Sequence, residues 1–430
     1  MPHVLNVMLH GRFVGTITNL ASDHNLFAFS DEYANDASAP VLSLGFFNAE
    51  RKLSVPVRTP HVRLLPFFAN LLPEGHLRSY LARRAGVNPA RDFPLLWLAG
   101  EDLPGAVVVS HADGLTTPPD DPDVTAVTEA EAENDPGLLK FSLAGVQLKF
   151  SAILEADGGL TIPVHGVDGD WMVKMPSPTY ARVPENEHAM LHFAARVGID
   201  VPEHHLVDTS TVRNLPAEVR SDLGRAMSIK RFDRTPDGRV HIEDFNQIFG
   251  QYPADKYKYA SYGNMLAGIW QVLGEEQTRE FVRRLIFNAA IGNGDMHLKN
   301  WSVIYRDTRT PALAPAYDYV STIVYVPNDK LALSIAKTRS WSDISDELLE
   351  RFARRAGVPR GVVLRAAREM ADRVRETWPA FKRETELDPR TLRLIDEHMA
   401  TVPLLTGRRS TAVAVPSDDA DPVLPQPEIA

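Results

Sequence analysis

Short apolar runs separated by turn residues occupy the first 60 residues of the chain. The runs cover residues 4–9, 13–17, 26–29 and 41–44, and Gly, Asn and Asp lie between them. Runs of this length that are rich in β-branched and aromatic residues predict strands. His10-Gly11-Arg12 separates the first two runs and is a plausible hairpin turn.

Helical spacing replaces this pattern over residues 67–84, where apolar residues recur on one face. Pro73 should interrupt this helix, because a proline ring clashes with the preceding turn. Gly86 should end it, since glycine readily adopts the left-handed conformation of a helix C-cap. A second helix is predicted over residues 94–99 and a buried strand over residues 106–109.

The composition changes between about residues 111 and 136, where a Pro- and Asp-rich stretch precedes an acidic, alanine-containing run. This composition is typical of a solvated linker. Beyond it, strands are predicted at residues 142–151, 171–176, 202–208 and 226–230, with a helix at residues 186–197 between the second and the third.

The chain becomes mainly helical from about residue 244. Helices are predicted at residues 265–272, 275–291, 343–356 and 359–375. For the third of these, Ser342 or Asp343 is expected to cap the N-terminus and Gly357 the C-terminus.

This order of elements predicts an α+β protein with a two-lobed, protein-kinase-like fold behind a β-rich N-terminal subdomain. The predicted parts are the N-terminal subdomain (1–110), a linker (111–136), a nucleotide-binding N-lobe (137–235), a helical C-lobe (236–406) and a disordered tail (407–430).

Composition narrows the class of protein. The sequence has 430 residues, no cysteine and a formal net charge of −10. It therefore lacks disulfides and thiol chemistry, and its acidity argues against broad contact with nucleic-acid phosphates. No run approaches the roughly 18 uncharged apolar residues of a membrane span, and the N-terminus lacks the pattern of a signal peptide. We expect a cytoplasmic protein that does not contact membranes.

Residues 295–300 carry the clearest chemical signal. They read Asp-Met-His-Leu-Lys-Asn and follow Gly292 and Gly294, so that Asp295 and Asn300 stand five residues apart. This is the spacing of a protein-kinase catalytic loop, in which the acid accepts the substrate hydroxyl proton and the amide holds magnesium. An isolated Asp in a loop, such as Asp295, is more often a turn or cap residue. The catalytic interpretation is favoured because Asn300 follows at this spacing and Asp318 follows where a kinase has its second metal ligand.

Two residues lie between the acid and the amide of this loop. Lys299 is a candidate to meet the transferring phosphate. His297 is a candidate to organise the loop by hydrogen bonding.

Lys174 lies in an unusually apolar strand, and lysine is rarely buried without a partner. It is the candidate that grips the nucleotide phosphates, although an edge strand also commonly carries a solvated lysine. Glu187 lies thirteen residues further on, where a kinase helix places the acid that pairs with this lysine. Glu185 is the competing choice.

Two further segments are candidates for nucleotide binding. Backbone amides around Ser142, Gly145, Val146 and Gln147 could cradle phosphate, although a single glycine is also typical of an ordinary tight turn. Arg231-Phe232-Asp233-Arg234 follows an apolar strand that ends at Lys230, where a kinase crosses between its lobes and presents backbone groups to adenine. Lys230, Arg231 and Phe232 are therefore candidates for nucleotide binding. An ordinary charged turn has the same composition.

Together these segments resemble the HipA family, the bacterial serine/threonine kinases that act as toxins in toxin–antitoxin pairs. The matching segments are Phe67-Phe-Ala-Asn-Leu-Leu-Pro-Glu74, Gly105-Ala-Val-Val108, Ser142-Leu-Ala-Gly-Val-Gln147, Val173-Lys-Met-Pro176, Asn186-Glu187, Arg231-Phe-Asp-Arg234, Glu243-Asp-Phe-Asn-Gln-Ile-Phe-Gly250, Gly294-Asp-Met-His-Leu-Lys-Asn300 and Ala316-Tyr-Asp318. They run in order from about residue 4 to about residue 340, and the Asp-x-His-x-Lys-Asn loop is specific to the family.

The resemblance implies an ATP- and Mg²⁺-dependent kinase. Asp295 would be the catalytic acid, Asn300 and Asp318 the metal ligands and Lys174 the phosphate-gripping lysine. Gln247 would support the active site. Ser142 matches the serine that members of the family autophosphorylate, and a phosphate there would add negative charge beside a loop meant for ATP and so inactivate the kinase.

The resemblance also implies partners. The protein substrate would be a target such as an aminoacyl-tRNA synthetase. A small helix-turn-helix antitoxin (HipB-like) would bind the kinase and make most of the contact with DNA. The family usually has an acidic residue before Arg231, where this chain has Lys230; because backbone groups hold adenine, we expect ATP binding to be kept.

Two other functions fit parts of the pattern. One is a degenerate kinase fold that acts as a co-repressor with its antitoxin, and the intact set of Lys174, Asp295, Asn300 and Asp318 argues against it. The other is a small-molecule phosphotransferase, against which the N-terminal subdomain and the segment around Gln247 argue.

Overall fold

A four-stranded antiparallel sheet begins the chain. The computed structural model describes residues 3–20, 23–48, 52–54, 59, 61–112, 149–155, 160–162, 169–215 and 224–407. The first sheet contains β1 (His3–Leu9), β2 (Arg12–Asn19), β3 (Asn25–Phe29) and β4 (Val107–His111) in the order β3-β2-β1-β4. The predicted hairpin turn is confirmed, because His10 and Gly11 both have positive φ (50° and 74°), as a two-residue turn between right-twisted strands requires.

The N-terminal subdomain also contains helices whose buried apolar residues share one hydrophobic cluster with the strands. They are Asp31–Asn35, Pro66–Ala69, Gly75–Ala85 and Asp92–Ala99. The expected interruption at Pro73 is confirmed, and Gly86 ends the third helix with a φ of 65°. The strand predicted at residues 41–44 is wrong: the Ser43 side chain binds the Gly45 N–H and starts a 3₁₀ turn, Leu44–Phe46.

The second sheet forms the predicted N-lobe, which is called the upper lobe below. It contains β5 (Lys149–Leu154), β6 (Leu160–Thr161), β7 (Trp171–Lys174), β8 (His204–Asp208), β9 (Val212–Arg213) and β10 (Arg225–Lys230) in the order β8-β10-β7-β5-β6-β9. The helix Val183–Arg196 lies between β7 and β8 in the chain. Lys149 and Lys174 are paired across β5 and β7, so their side chains lie on the same face of the sheet.

The predicted C-lobe, called the lower lobe below, is mainly helical. They are Phe245–Ile248, Tyr262–Val272, Gly274–Ile291, Asp346–Arg355, Arg360–Glu384, Pro389–Met399 and Pro403–Thr406. Two small sheets accompany them: β11 (Arg234–Thr235) with β12 (Gly238–Arg239), and β13 (His241–Asp244), β14 (Ser302–Tyr305) and β15 (Ala312–Leu313) in that order.

Two of the predicted helices differ from the observed ones at their ends. The expected cap at Ser342 or Asp343 is wrong, because residues Trp341–Asp343 form a 3₁₀ turn and Ser345 caps the helix Asp346–Arg355 instead. The helix predicted to end at residue 375 continues to Glu384 through Pro379, since Trp378 and Phe381 are buried against the core and hold it.

Buried side chains of the described residues form one hydrophobic cluster in the N-terminal subdomain, one in the sheet of the upper lobe, and one in the lower lobe that also includes Met227 and Ile229 of β10. The helix Val183–Arg196 contributes Met190, Leu191 and Phe193 to the cluster of the lower lobe. It therefore connects the two lobes through apolar packing. None of the helices in the described part of the chain has the length and hydrophobicity that crossing a membrane would need.

Candidate active site

The helix Gly274–Ile291 leads directly into the predicted catalytic loop. Gly292 ends this helix with a φ of 66°, and a Cβ atom at this position would lie 2.5 Å from the side chain of Ile323. Glycine is therefore required both by conformation and by space. The loop then passes through a 3₁₀ turn, Leu298–Asn300, into the buried strand β14.

Hydrogen bonds hold the three predicted catalytic and metal-binding residues together. The Asn293 side chain accepts from the Asp295 N–H (3.1 Å) and donates to the Asp318 carbonyl oxygen (3.3 Å). The Asn300 amide donates to the Asp295 carbonyl oxygen (2.9 Å). Asp295, Asn300 and Asp318 thus lie close together, and Asn293, a residue that the sequence does not single out, joins two of them.

Asp295 is 6% exposed, and Tyr257 donates a hydrogen bond from its hydroxyl to Oδ1 of this carboxylate. Burial raises the pKa of Asp295 to about 7, although the bond from Tyr257 opposes the shift. A carboxylate with a pKa near neutrality is suited to proton transfer at physiological pH. Tyr257 was not predicted, since an isolated tyrosine 38 positions earlier gives no local signal.

Two lysines and a second carboxylate surround Asp318. Lys174 forms ion pairs with both Asp318 and Glu187, and the Lys149 ammonium lies 3.4 Å from the Asp318 carboxylate. Burial would raise the pKa of Asp318, but the ammonium groups of Lys149 and Lys174 outweigh it and hold the pKa well below its usual range. The pairing of Lys174 with Glu187 rather than Glu185 is the one that the sequence favoured.

The backbone at Asp318 is also unusual. Its φ is 55°, a left-handed conformation that a non-glycine residue adopts at a cost and that is common at functional sites. Lys149 was missed because its segment reads as an ordinary strand; only its register opposite Lys174 brings it to the site.

Asp318 and Asn300 fit a hard divalent cation. The Asn300 amide nitrogen is used by Asp295, which leaves Oδ1 as the side-chain atom that could bind a cation. Two ammonium groups already lie against Asp318, so a cation would have to replace them at its carboxylate. Within the described ranges, no group of three or more His, Asp or Glu residues could hold a metal ion. Two protein oxygens suit Mg²⁺, which usually keeps waters and binds substrate phosphates.

Two of the predicted catalytic residues, Lys299 and Gln247, contact the N-terminal subdomain. The Lys299 ammonium contacts the Glu74 carboxylate (2.7 Å) and the Asn70 carbonyl oxygen (3.1 Å), both in the N-terminal subdomain. In the helix Phe245–Ile248, the side-chain oxygen of Gln247 accepts from the N–H of the N-cap residue Asp244 (2.9 Å), and its amide donates to the Phe67 carbonyl oxygen (3.0 Å). Neither residue contacts Asp295 or Asp318 in these bonds.

His297 was expected to organise the loop by hydrogen bonding, and the structure differs from this expectation. It is 1% exposed, and neither of its ring nitrogens has a hydrogen-bond partner among the residues that the structure describes. The ring instead packs edge-on against Tyr257, with a centroid distance of 5.0 Å. Burial and the nearby Lys256 lower the pKa of His297 well below its usual value, so the ring is neutral and supports the loop by packing.

At the predicted hinge, the sheet already uses two of the expected N–H groups. Lys230 N–H donates to the Glu203 carbonyl oxygen and Arg231 N–H to the Asp170 carbonyl oxygen, both at 2.8 Å. These N–H groups therefore do not face adenine, because the end of β10 is paired on both sides. The Phe232 ring lies 5.7 Å from the ring of Tyr317, next to Asp318.

The other predicted nucleotide-binding residues, Ser142, Gly145, Val146 and Gln147, lie outside the described residues, as do most of the predicted linker and nearly all of the C-terminal tail.

Comparison with known proteins gives consistent matches over most of the chain. Residues 5–110 match the family model "HipA N-terminal domain", and residues 141–378 match "HipA-like C-terminal domain". A Sinorhizobium fredii protein named "Putative kinase Y4dM" is 48% identical over 408 residues, covering 93% of this chain and 97% of the relative. The "Serine/threonine-protein kinase toxin HipA" of Shewanella oneidensis is 24% identical over 345 residues, covering 72% of this chain and 75% of that protein.

A solved structure supports the fold. A chain in the complex of HipA, HipB and operator DNA from Shewanella oneidensis superposes with a TM-score of 0.70 at 21% identity, covering 94% of this chain and 96% of that one. The α+β, two-lobed fold expected from the sequence is therefore confirmed.

Proposed function

We propose that this chain, which belongs to the HipA family, is an ATP- and Mg²⁺-dependent serine/threonine-protein kinase and the toxin of a toxin–antitoxin system. The observation that supports the proposal is the network of hydrogen bonds and ion pairs that joins Asp295, Asn300, Asp318 and the Lys174–Glu187 pair. Phosphoryl transfer depends mainly on positioning and charge stabilisation, and these residues supply both.

Each residue has a role that follows from its surroundings. Lys174 and Lys149 lie on one face of the upper sheet, so they would bind the ATP phosphates and release Asp318. Asn300 and Asp318 would hold Mg²⁺, which neutralises phosphate charge when it is bound. Asp295 would accept the proton of the serine hydroxyl through its carboxylate. The neutral, buried His297 and the Tyr257 hydroxyl keep that carboxylate in place.

The partners in the proposal come from the family. The Shewanella oneidensis protein occurs in a complex with HipB and operator DNA, which supports a small helix-turn-helix antitoxin as the partner of this chain. The antitoxin would make most of the DNA contact, in keeping with a net charge of −10. The target would be a protein such as an aminoacyl-tRNA synthetase, and autophosphorylation of Ser142 would inactivate the kinase by adding charge beside the nucleotide.

Purified protein with labelled ATP and Mg²⁺ tests the proposal. Label on Ser142 or on a protein substrate is the expected result, and it should disappear in Asp295→Ala. A folded protein that binds ATP without transferring phosphate would instead be a co-repressor. Label on small molecules alone would identify a small-molecule phosphotransferase.

Expression in cells tests the toxin role separately. The wild-type chain should arrest growth, whereas Asp295→Ala and Asp318→Ala should not, at equal levels of folded protein. Arrest by either variant would contradict a toxicity that depends on kinase activity.

A further inference from the structure

A segment of the N-terminal subdomain docks on the lower lobe beside the catalytic loop. The segment runs from the helix Pro66–Ala69 to Glu74. Its contacts with the lower lobe are Phe67 O with Gln247 Nε2 (3.0 Å), Asn70 Nδ2 with Gln251 O (2.8 Å), Asn70 Oδ1 with Asn246 Nδ2 (2.9 Å), Asn70 O with Lys299 Nζ (3.1 Å), Glu74 Oε1 with Lys299 Nζ (2.7 Å) and Glu74 Oε2 with Lys256 Nζ (2.9 Å). All six bridge positions about 180 or more residues apart in the chain.

Glu74 is the part of this segment that reaches the catalytic loop. Each of its carboxylate oxygens is bound by a different lysine, Lys256 or Lys299. The side chains of these lysines are only 9% and 14% exposed. Burial would raise the pKa of Glu74, but the two ammonium groups lower it well below its usual value. The carboxylate is therefore charged, and such charge-assisted contacts with little exposure are strong.

Both lysines are connected to Asp295. Lys299 lies within the catalytic loop itself. The Lys256 carbonyl oxygen accepts from the Leu298 N–H (3.2 Å), and the next residue, Tyr257, donates to Asp295. Glu74 thus holds the loop directly through Lys299 and holds the tyrosine that binds the catalytic carboxylate through Lys256.

We propose that Glu74 is a positioning residue through which the N-terminal subdomain sets the orientation of the Asp295 carboxylate, acting through Lys256 and Tyr257. This inference rests on the proposed kinase function. Tyr257 occupies Oδ1 of Asp295, so its position decides how the carboxylate meets the acceptor hydroxyl. Displacements of about 1 Å in such a site can lower a rate by about 100-fold. The subdomain is then part of the kinase and not only a surface for partners.

Steady-state kinetics of the full-length protein test this. In Glu74→Gln and in Tyr257→Phe, kcat should fall at least about tenfold, while the KM for ATP stays within about threefold. The kcat of the double variant should be little lower than that of the less active single variant, because both substitutions act on the same carboxylate. Lys258→Met is the matched control: Lys258 lies in the same loop but is 60% exposed and pairs with Asp255.

The other outcomes are also decisive. Kinetics of Glu74→Gln equal to those of Lys258→Met would overturn the inference and leave the kinase function intact. A faster Glu74→Gln would overturn it too, since Glu74 would then be withholding Lys299 from phosphate. If the wild-type protein transfers no phosphate, both the function and the inference fail. Should Glu74→Gln not fold, Lys256→Met, which removes the ammonium group that binds Glu74, takes its place: kcat should fall as in Tyr257→Phe, and kinetics equal to those of Lys258→Met would overturn the inference.

Discussion

At the scale of single residues, the site contains buried ionisable groups whose charged forms need neighbouring groups to stabilise them. Asp295, Lys174, Glu187 and Lys299 are buried or nearly so, and the ionised forms of such groups are costly unless they are paired. The sequence singled out all four as candidates. It did not indicate that Lys299 contacts Glu74, because Glu74 lies 225 positions earlier in the chain.

The raised pKa of Asp295 gives a pH dependence. The catalytic role needs the carboxylate, and burial raises its pKa to about 7. At low ATP, kcat/KM should therefore rise as pH increases through about 7 and level off above it. The measurement is a pH series of initial rates with thermal melts at each pH. A rate that is flat between pH 5.5 and about 8 would contradict a catalytic role for a carboxylate in this environment.

Lys174 should matter for both activity and stability. Lys174→Met leaves Glu187 and Asp318 buried without their shared cation. Removing one partner of a buried ion pair costs about 3–5 kcal/mol, so the free energy of unfolding should fall by about that much and phosphoryl transfer should cease. Lys230→Met is the control, since its side chain is 48% exposed on the neighbouring strand. Urea titrations that show equal losses for the two variants would contradict the buried pairing.

At the scale of elements, strands and loops from distant parts of the chain meet around single carboxylates. Glu243 on β13 accepts hydrogen bonds from the Ser43 hydroxyl (2.5 Å), the Leu44 N–H (2.9 Å) and the Tyr305 hydroxyl on β14. This explains why residues 41–44 are not a strand. Their polar groups bind Glu243, about 200 positions away, and a local hydrophobic pattern carries no information about that contact.

Glu243 should make the stability depend on pH. Burial raises its pKa to about 7, against hydrogen bonds that lower it. Because the pKa in the folded state is above that of the unfolded state, the stabilising contribution is complete below about pH 4.5 and is lost as pH rises through about 7.

Glu243→Gln removes this dependence, and its amide can donate to Ser43. Relative to the wild type, the variant should gain up to about 3 kcal/mol of unfolding free energy between pH 5 and pH 8. Urea titrations at the two pH values measure it. Glu276→Gln, at an exposed position, should show no such gain, and an equal change in both variants would contradict the assignment.

At the scale of the whole molecule, the prediction from sequence succeeded where the signal was local. The catalytic loop, the helix that carries Glu187 and the break at Pro73 each follow from a few neighbouring residues. The contributions of Tyr257, Lys149 and Glu74 depend on how strands pair and how the N-terminal subdomain docks. No periodicity or motif in a single sequence encodes such a contact.

The final prediction concerns how MgATP binding stabilises the intact protein. MgATP should stabilise the folded state by about 2.7 kcal/mol at 100 times its Kd, and by less when EDTA removes the metal ion. Asp318→Ala should lose the difference between ATP with and without Mg²⁺, since it removes the carboxylate that Lys149 and Lys174 now surround. Asp295→Ala should keep that difference, because Asp295 is proposed to accept a proton and not to bind metal. Thermal melts of the wild type and both variants, with ATP in the presence of Mg²⁺ or of EDTA, separate these roles. If Asp295→Ala loses the magnesium effect and Asp318→Ala keeps it, the two carboxylates have been assigned the wrong way round.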